Sequence, residues 1–258
     1  MLSFKTVNII TGVAFIILLA THYFYGIPLW PYILLAFISL FITMFGSGLI
    51  QWNYHIKSFH SNKSISKNQV AITFDDGPNA NFTPKILALL KQHNAKATFF
   101  CVGKHIEDHP ELFKRIIEQG HTVGNHTYSH APNFGFFKTT KVVSELQHTN
   151  TIVKNATGLT MLLFRPAFGV TNPRIKKAIK IIGLQSIGWN IRSLDTTSRD
   201  SKKILNRITK NITKGDVILL HDTSIKSVSV LEQLLLFLQQ HKIESVTIDS
   251  LFNIKPYA

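Results

Sequence analysis

Two adjacent carboxylates follow a short apolar run in the first third of the chain. The run 70–74 (VAITF) ends at Asp75 and Asp76, and Gly77 and Pro78 then break the chain. An apolar, β-branched run of this length predicts a strand that is covered on both faces. Such a strand presents its functional groups at its carboxyl end, although Asp, Gly and Pro are also common turn residues.

Two histidines four residues apart form a second candidate group. His126 and His130 have no acidic residue between them. With one carboxylate they would make a two-histidine, one-acid metal site that leaves positions open for water and substrate. No cysteine accompanies them, so we expect a divalent first-row ion, with Zn²⁺ ahead of Co²⁺ or Ni²⁺. Without the carboxylate, the pair would be two histidines on a loop.

Such a metal would explain why two neighbouring carboxylates are useful. A metal with open positions lowers the pKa of bound water and polarises a carbonyl. One carboxylate can then bind the metal while the other takes the proton from the water. His221 could protonate the leaving group, because imidazole titrates near neutral pH. Asp195 could orient His221, and Arg165 could hold the base carboxylate through a forked ion pair.

Strand-like and helix-like segments alternate from residue 70 onward, which predicts parallel strands, right-handed crossovers and an α/β barrel-like fold. In such a fold the polar groups that follow the strands meet on one rim, which favours a site over scattered turns. The predicted strands are 70–74, 97–102, 122–124, 161–164, 185–191, 216–220 and 245–248. The predicted helices are 84–93, 110–119, 138–155, 173–182, 201–212 and 227–241.

The N-terminal part of the chain is apolar and uncharged. Residues 6–56 contain no Asp, Glu, Lys or Arg, and this length suits two membrane spans of about 20 residues each. We therefore predict a transmembrane hairpin over 1–56, with helices at about 7–24 and 30–50. A polar linker over 57–68 and a catalytic domain over 69–258 would follow. A cleaved signal peptide is the alternative interpretation of the first span.

The formal net charge of +14 is concentrated after the hairpin and favours anionic surroundings such as lipid headgroups or an anionic sugar. No aromatic-and-basic binding module accompanies it, so nucleic acid is not expected as a partner. Lys5 precedes the hairpin and three lysines follow it by residue 67. By the positive-inside rule this bias favours a cytoplasmic catalytic domain on an integral membrane protein. Cys101 is alone, so no internal disulfide is possible.

Four motifs, in this order, resemble those of polysaccharide deacetylases with a NodB-like domain, carbohydrate esterase family 4. They are TFDDGP at 73–78, HTYSH at 126–130, RPAFG at 165–169 and LLHD at 219–222. The resemblance covers nearly the whole chain from residue 70 to the C-terminus. It implies a distorted (β/α)₇ barrel and metal-dependent removal of acetyl groups from N- or O-acetylated sugars.

The resemblance also implies a role for each motif residue. It implies that Asp75 is the general base and that Asp76, His126 and His130 bind the metal. It further implies that His221 is the general acid, that Arg165 orients Asp75, that the backbone N–H near Phe168 helps to stabilise the oxyanion and that Leu220 lines the pocket for the acyl methyl group.

The chain departs from the family pattern in two motifs. Ala167 stands where the family usually has a second proline. In the stretch after Trp189, Asp195 is kept as the expected partner of His221, but Arg192 replaces an acid and Thr196 replaces an aromatic residue. An arginine at the rim could bind a phosphate or carboxylate on the substrate.

Together these observations predict a membrane-anchored, metal-dependent hydrolase that acts on the carbon–nitrogen bond of N-acetylated sugars. Its expected substrate is peptidoglycan, another N-acetylated envelope glycan or a lipid-linked sugar, and its expected partner is the lipid bilayer. The competing hypothesis is a catalytically inactive barrel that binds glycan at the membrane.

Overall fold

A curled parallel sheet forms the centre of the structure, a computed structural model that describes residues 3–258. The strand order is β5-β4-β3-β2-β1-β7-β6, and β8 also pairs with β1. The predicted distorted (β/α)₇ barrel is confirmed. The strands are β1 (Gln69–Asp75), β2 (Ala97–Cys101), β3 (Thr122–Asn125), β4 (Leu163–Phe164), β5 (Gln185–Ser186), β6 (Ile191–Arg192), β7 (Val217–His221) and β8 (Glu244–Ser245).

Helices follow most of the strands, as the alternating pattern predicted. Two short helices, α4 and α10, were missed because five or six residues are too few to show a helical period. The helices are α1 (Phe4–Tyr25), α2 (Trp30–Gly48), α3 (Thr83–Gln92), α4 (Gly103–Asp108), α5 (Pro110–Glu118), α6 (Thr139–Thr157), α7 (Pro173–Ile182), α8 (Ser201–Thr209), α9 (Ile225–Gln240) and α10 (Ile248–Phe252).

Side chains pack against both faces of the sheet. Ala71 and Leu219 lie in an inner cluster with Trp189, whereas Ile72 and Leu220 lie in the outer core with residues of α3 and α9. Because side chains alternate along a strand, Asp75 and His221 point to the inner side. Asp75 also pairs in register with His221. Asp75 at the end of β1 and His221 at the end of β7 therefore lie side by side on the inner side of the rim.

The predicted strand 185–191 is wrong as one element, because it divides into β5 and β6 at the opening of the sheet. Phe59 bridges this opening: its N–H donates to the carbonyl of Ser186 (2.9 Å) and its carbonyl accepts from Gly188 N–H (2.8 Å). The segment predicted as a linker is thus bonded to the barrel rather than free. It supplies partners for backbone groups that an open sheet edge would leave unpaired.

Helices α1 and α2 are long and apolar enough to cross a membrane, with mean hydropathy of 1.9 and 1.7. The start of α1 bonds to the segment after α2, because Phe4 N–H donates to the carbonyl of Tyr54 (2.9 Å). Aromatic residues beside a membrane span are typical of the membrane interface, but Tyr54 is buried against Gly46. Trp52 is partly exposed.

The end of α2 is docked on the barrel. The N–H of Thr171 donates to the carbonyl of Ser47 (2.9 Å). Ile50 is buried, packs beside Gly188 and belongs to the inner cluster with Trp189. The two apolar helices are therefore fixed to the barrel by packing and hydrogen bonding as well as by the peptide chain.

This docking predicts the effect of truncating Ile50. Ile50→Ala should lower the stability of the barrel by about 2–5 kcal/mol, because it leaves a cavity against the inner cluster. Thermal unfolding of the detergent-solubilised full-length chain measures the change. Ile9→Ala is the matched control, because Ile9 is 55% exposed on α1. Equal melting temperatures for the two variants would contradict the docking.

Candidate active site

Asp75 and Arg165 form a buried ion pair at the end of β1. Arg165 Nη1 donates to Asp75 Oδ1 (2.7 Å) and to Thr73 Oγ1 (2.7 Å). The same guanidinium donates from Nη2 to the carbonyl of Gly188 (2.9 Å) and lies 4.1 Å from the ring centre of Phe100. These contacts leave Asp75 Oδ2 as the oxygen of the carboxylate that Arg165 does not bind.

Burial and charge act in opposite directions on this pair. Arg165 is completely buried, and burial lowers its pKa, whereas the neighbouring Asp75 carboxylate opposes that decrease. The guanidinium stays charged, because an arginine is not deprotonated in a protein. Removing either partner would leave an unpaired buried charge, so the pair holds both side chains in place. The predicted contact of Arg165 with Asp75 is present, but it is made through one nitrogen and not through the expected fork.

Asp76, His126 and His130 surround one point beside this pair. Asp76 Oδ1 lies 3.4 Å from His126 Nε2 and 3.3 Å from His130 Nε2. One potential ligand atom from each residue lies within 4.8 Å of the others. The structure thus brings together the three residues that the resemblance assigned to a metal.

The hydrogen bonds around this group prepare it for a cation. His126 Nδ1 lies 2.8 Å from the carbonyl of Arg165, which can only accept. Nδ1 therefore donates to this carbonyl, and Nε2 is the nitrogen that faces Asp76 and could bind a cation in place of a proton. Burial would raise the pKa of Asp76, but hydrogen bonding to His126 and the charges of nearby histidines hold that pKa well below its usual range. A carboxylate and two imidazoles in this arrangement fit a divalent first-row metal.

The two histidines lie on a loop rather than on a helix. Thr127 and His130 have positive φ angles of 67° and 47°. Buried Glu145 on α6 accepts from Ser129 N–H (2.8 Å) and from Ser129 Oγ (2.8 Å). Asn125 Oδ1 accepts from Thr127 N–H (2.9 Å). These bonds hold a backbone that an isolated loop would adopt only at a cost.

His221 and Asp195 form a second ionic pair on the rim. His221 Nδ1 lies 2.8 Å from Asp195 Oδ1, and His221 N–H donates to Asp195 Oδ2 (2.8 Å). Ser193 Oγ and Ser227 Oγ each donate to the same carboxylate at 2.7 Å. Burial alone would lower the pKa of His221, but the Asp195 carboxylate outweighs it and the pKa is raised. His221 Nε2 is left free of Asp195.

The three residues predicted to contact the substrate lie in three different environments. Phe168 is half exposed, has a φ of 59° and places its ring 4.6 Å from that of His130. Arg192 is exposed at the end of β6. The prediction that Leu220 lines the acyl pocket is wrong, because Leu220 is fully buried in the outer core, on the side of β7 opposite to His221.

Two supporting residues were missed from the sequence. His105 on α4 places Nδ1 2.6 Å from the carbonyl of Asp76, which fixes the backbone directly after the second carboxylate. Glu145 fixes the histidine loop, as described above. Glu145 is the only acidic residue of α6. This isolation was the one feature of the sequence that could have pointed to its role. His105 lies on a six-residue helix with no pattern to distinguish it.

Asp222 is buried directly behind the first motif. Thr83 Oγ1 donates to this carboxyl group, and a Cβ on Gly77 would collide with it. Burial raises the pKa of Asp222 to about 7. The glycine of the DDGP turn is therefore required by packing, since only a residue without a side chain leaves room for this carboxyl group.

Comparison with known proteins agrees with this architecture. The profile of the family described as Polysaccharide deacetylase matches residues 62–187. A peptidoglycan-N-acetylglucosamine deacetylase of Bacillus cereus (strain ATCC 14579) is 36% identical over 192 residues, which cover 72% of this chain and 69% of that protein. Peptidoglycan-N-acetylglucosamine deacetylase PgdA of Listeria monocytogenes is 34% identical over 193 residues, 75% of this chain. The matched region spans only 41% of PgdA.

The solved structures give the same result. The Bc1960 peptidoglycan N-acetylglucosamine deacetylase, crystallised with 4-naphthalen-1-yl-N-oxidanyl-benzamide, superposes with a TM-score of 0.72 at 34% identity. The superposition covers 78% of this chain and 94% of that chain. The fold and the rim residues therefore define a NodB-like domain of carbohydrate esterase family 4. The chain belongs to the polysaccharide deacetylase family.

The histidine loop gives a direct test of metal binding. His126→Ala should abolish stoichiometric Zn²⁺ binding by the full-length chain, because it removes one of three ligands and the one that is most buried. Elemental analysis after dialysis against a metal buffer measures occupancy. His241→Ala, an exposed histidine on the far end of α9, should keep full occupancy. Full occupancy in His126→Ala would remove it from the ligand set.

Proposed function

We propose that the protein is a membrane-anchored, metal-dependent hydrolase that removes acetyl groups from N-acetylated sugars of the cell envelope. The observation that carries the proposal is the grouping of Asp76, His126 and His130 between two oriented pairs, Asp75–Arg165 and Asp195–His221. Family membership supports the same reaction. Peptidoglycan is the first substrate to test, because the names of the relatives specify peptidoglycan N-acetylglucosamine.

Asp76, His126 and His130 would hold the metal, with Zn²⁺ as the proposed ion. When bound, such an ion lowers the pKa of water and polarises the acetyl carbonyl. The contribution of the protein is a negatively charged carboxylate and two imidazoles whose orientation is already set. His126 is oriented by the carbonyl of Arg165, and His130 by the loop that Glu145 holds.

Asp75 is the proposed general base. Arg165 binds Oδ1, whereas Oδ2 lies 3.8 Å from His126 Nε2 and so faces the candidate metal ligands. Oδ2 is therefore the oxygen placed to take a proton from an attacking water. Arg165 fixes the position of this carboxylate, which is what a base needs when it acts on a water beside it.

His221 is the proposed general acid. The water oxygen bonds to the acetyl carbon, the carbon–nitrogen bond breaks, and the leaving nitrogen takes a proton from His221 Nε2. Asp195 holds Nδ1 and raises the pKa of the imidazole, so the ring carries the proton that it must give. The products are acetate and a free amino sugar. The backbone at Phe168, at the rim beside His130, would donate to the oxyanion.

The membrane part of the proposal rests on α1 and α2. The bond between Phe4 and Tyr54 and the docking of Ile50 favour a retained hairpin over a cleaved signal peptide. The lysine bias supports a cytoplasmic catalytic domain, and on that side a lipid-linked sugar would be the substrate instead of finished peptidoglycan. A C-terminal fusion to alkaline phosphatase, compared with a fluorescent protein, tests the side. Phosphatase activity would place the domain outside and leave finished peptidoglycan as the substrate.

Asp75→Asn tests the assignment of the base. The variant should lose about 10²–10⁴-fold in kcat, because the amide cannot accept the proton, but should keep its metal. Acetate release from an N-acetylglucosamine oligomer and elemental analysis measure the two effects. Asp108→Asn, an exposed carboxylate outside the site, is the control. Wild-type turnover in Asp75→Asn would show that the base is another group.

The same acetate assay separates an enzyme from a binding protein. Wild-type chain that binds the oligomer with full metal occupancy and releases no acetate would be the inactive glycan-binding barrel. Both ionic pairs and all three candidate ligands are in place, which favours the enzyme.

Asp195→Asn tests the assignment of the acid through pH. Asp195 raises the pKa of His221, and the acid works only below that pKa. Replacing the carboxylate by an amide should lower the pKa and move the alkaline limb of the kcat profile to lower pH. Ser227→Ala removes one hydrogen bond from Asp195 but keeps its charge, so it should shift the limb less. An unmoved limb in Asp195→Asn would exclude His221 as the titrating acid.

A further inference from the structure

A cavity of about 460 Å³ lies beside strand β6 and helix α8. None of the residues assigned above to the metal, the base or the acid lines it. The other five of its nine lining residues are three asparagines and two isoleucines, and none is acidic. Its four cationic lining residues are Arg192, Lys203, Arg207 and Lys210.

Three of these cations lie along one face of α8, two within the helix and Lys210 directly after it. Lys203, Arg207 and Lys210 are spaced by four and three residues, which places them above one another on a helix. Ile204 lies on the buried face of the same helix. Lys202 is exposed as well but does not line the cavity. Helical phase thus brings Lys203 and Arg207 to the cavity, whereas Lys202, the one other cation of α8, faces elsewhere.

The charges at the cavity have little compensation. Arg207 Nε donates to the carbonyl of Arg192 (2.7 Å). Among residues 3–258, the guanidinium of Arg192 and the ammonium of Lys210 make no hydrogen bond or ion pair. Lys203 has an exposed contact with Asp200 at 3.4 Å, and exposed pairs of this kind contribute little. A concave surface with several cations and no lining acid attracts an anion.

The chain connects this cavity directly to the proposed acid pair. Arg192 ends β6, and Asp195 follows three residues later, so their Cα atoms are at most about 11 Å apart. Ser193 between them donates to Asp195. The Arg192 end of the cavity therefore lies near the proposed acid pair, whereas Lys210 follows the last turn of α8 and lies farther from the rim.

We propose that the cavity is a subsite for a phosphate group carried by the glycan substrate. The inference rests on the proposed deacetylase function and narrows its substrate to a phosphate-bearing glycan. Arginine suits this ligand, because its planar donors match two phosphate oxygens, and the lysines add charge without fixed geometry. In the family pattern an acid stands at the position of Arg192. The charge at this position is therefore positive in this chain where the family has a negative one.

Calorimetry on the full-length chain in nanodiscs of neutral lipid tests the subsite. The ligands are an N-acetylglucosamine tetramer and the same tetramer carrying one phosphate monoester. The phosphorylated ligand should bind about tenfold more tightly. The double variant Arg207→Gln/Lys210→Gln should bring the ratio of the two Kd values close to one. Lys202→Gln should keep the wild-type ratio.

Equal affinity of the wild-type chain for the two ligands would overturn the subsite, and so would an unchanged ratio in the double variant. If that variant instead weakened only the attachment to phosphatidylglycerol vesicles, the cations would contact lipid headgroups, which also overturns the subsite. Acetate release from the unphosphorylated tetramer tests the proposed function separately. The ratio of affinities does not depend on turnover, so failure of one proposal is distinguishable from failure of the other.

Discussion

The buried guanidinium of Arg165 is the interaction on which the rest of the site depends. A charge this deep costs several kcal/mol of desolvation unless it is fully paired. Asp75, Thr73, Ile187 and Gly188 all accept from it. These partners belong to β1 and to the crossover between β5 and β6, so a single side chain ties the proposed base to the open edge of the sheet. The same arginine presents its own carbonyl to His126.

This arrangement explains why the N-terminal segment matters to the site. Ile50 packs beside Gly188, and Phe59 bonds to Ser186 and Gly188 on the crossover that Arg165 binds. Both contacts fix the carbonyls on which the arginine depends. The segment predicted as a polar linker closes the barrel next to the Asp75–Arg165 pair. Its polar composition gave no sign of this, because Phe59 bonds to the barrel through its backbone.

Two adjacent carboxylates can serve one site only through an unusual backbone. Neighbouring side chains on a strand point to opposite faces, so Asp76 would turn away if β1 continued. Asp76 has a φ of 77°, which turns its side chain toward the two histidines while Asp75 stays on the inner side. This conformation costs about 1–2 kcal/mol in a residue with a side chain, and His105 holds it through the carbonyl of Asp76.

The sequence was sufficient for the parts of the structure that are periodic or that follow a strand end. The apolar runs located the strands, and the polar groups after them located the rim. The error at Leu220 was avoidable, because His221 on the inner side requires its neighbour to face outward. The sequence could not predict the supporting roles of Glu145 and His105. Nor could it predict the division of 185–191 into two strands. They depend on which loops meet in space, and neither spacing nor composition encodes that.

The docking of α2 also sets a limit on where the site can act. Thr171, which bonds to the end of α2, is six residues from Arg165, so their Cα atoms are at most about 22 Å apart. If α1 and α2 cross the bilayer as proposed, the rim is held within that distance of the end of a membrane helix. A free polar tether of the predicted length would reach farther and in any direction. The docked arrangement instead confines the enzyme to sugars that approach the membrane surface, on whichever side the barrel lies.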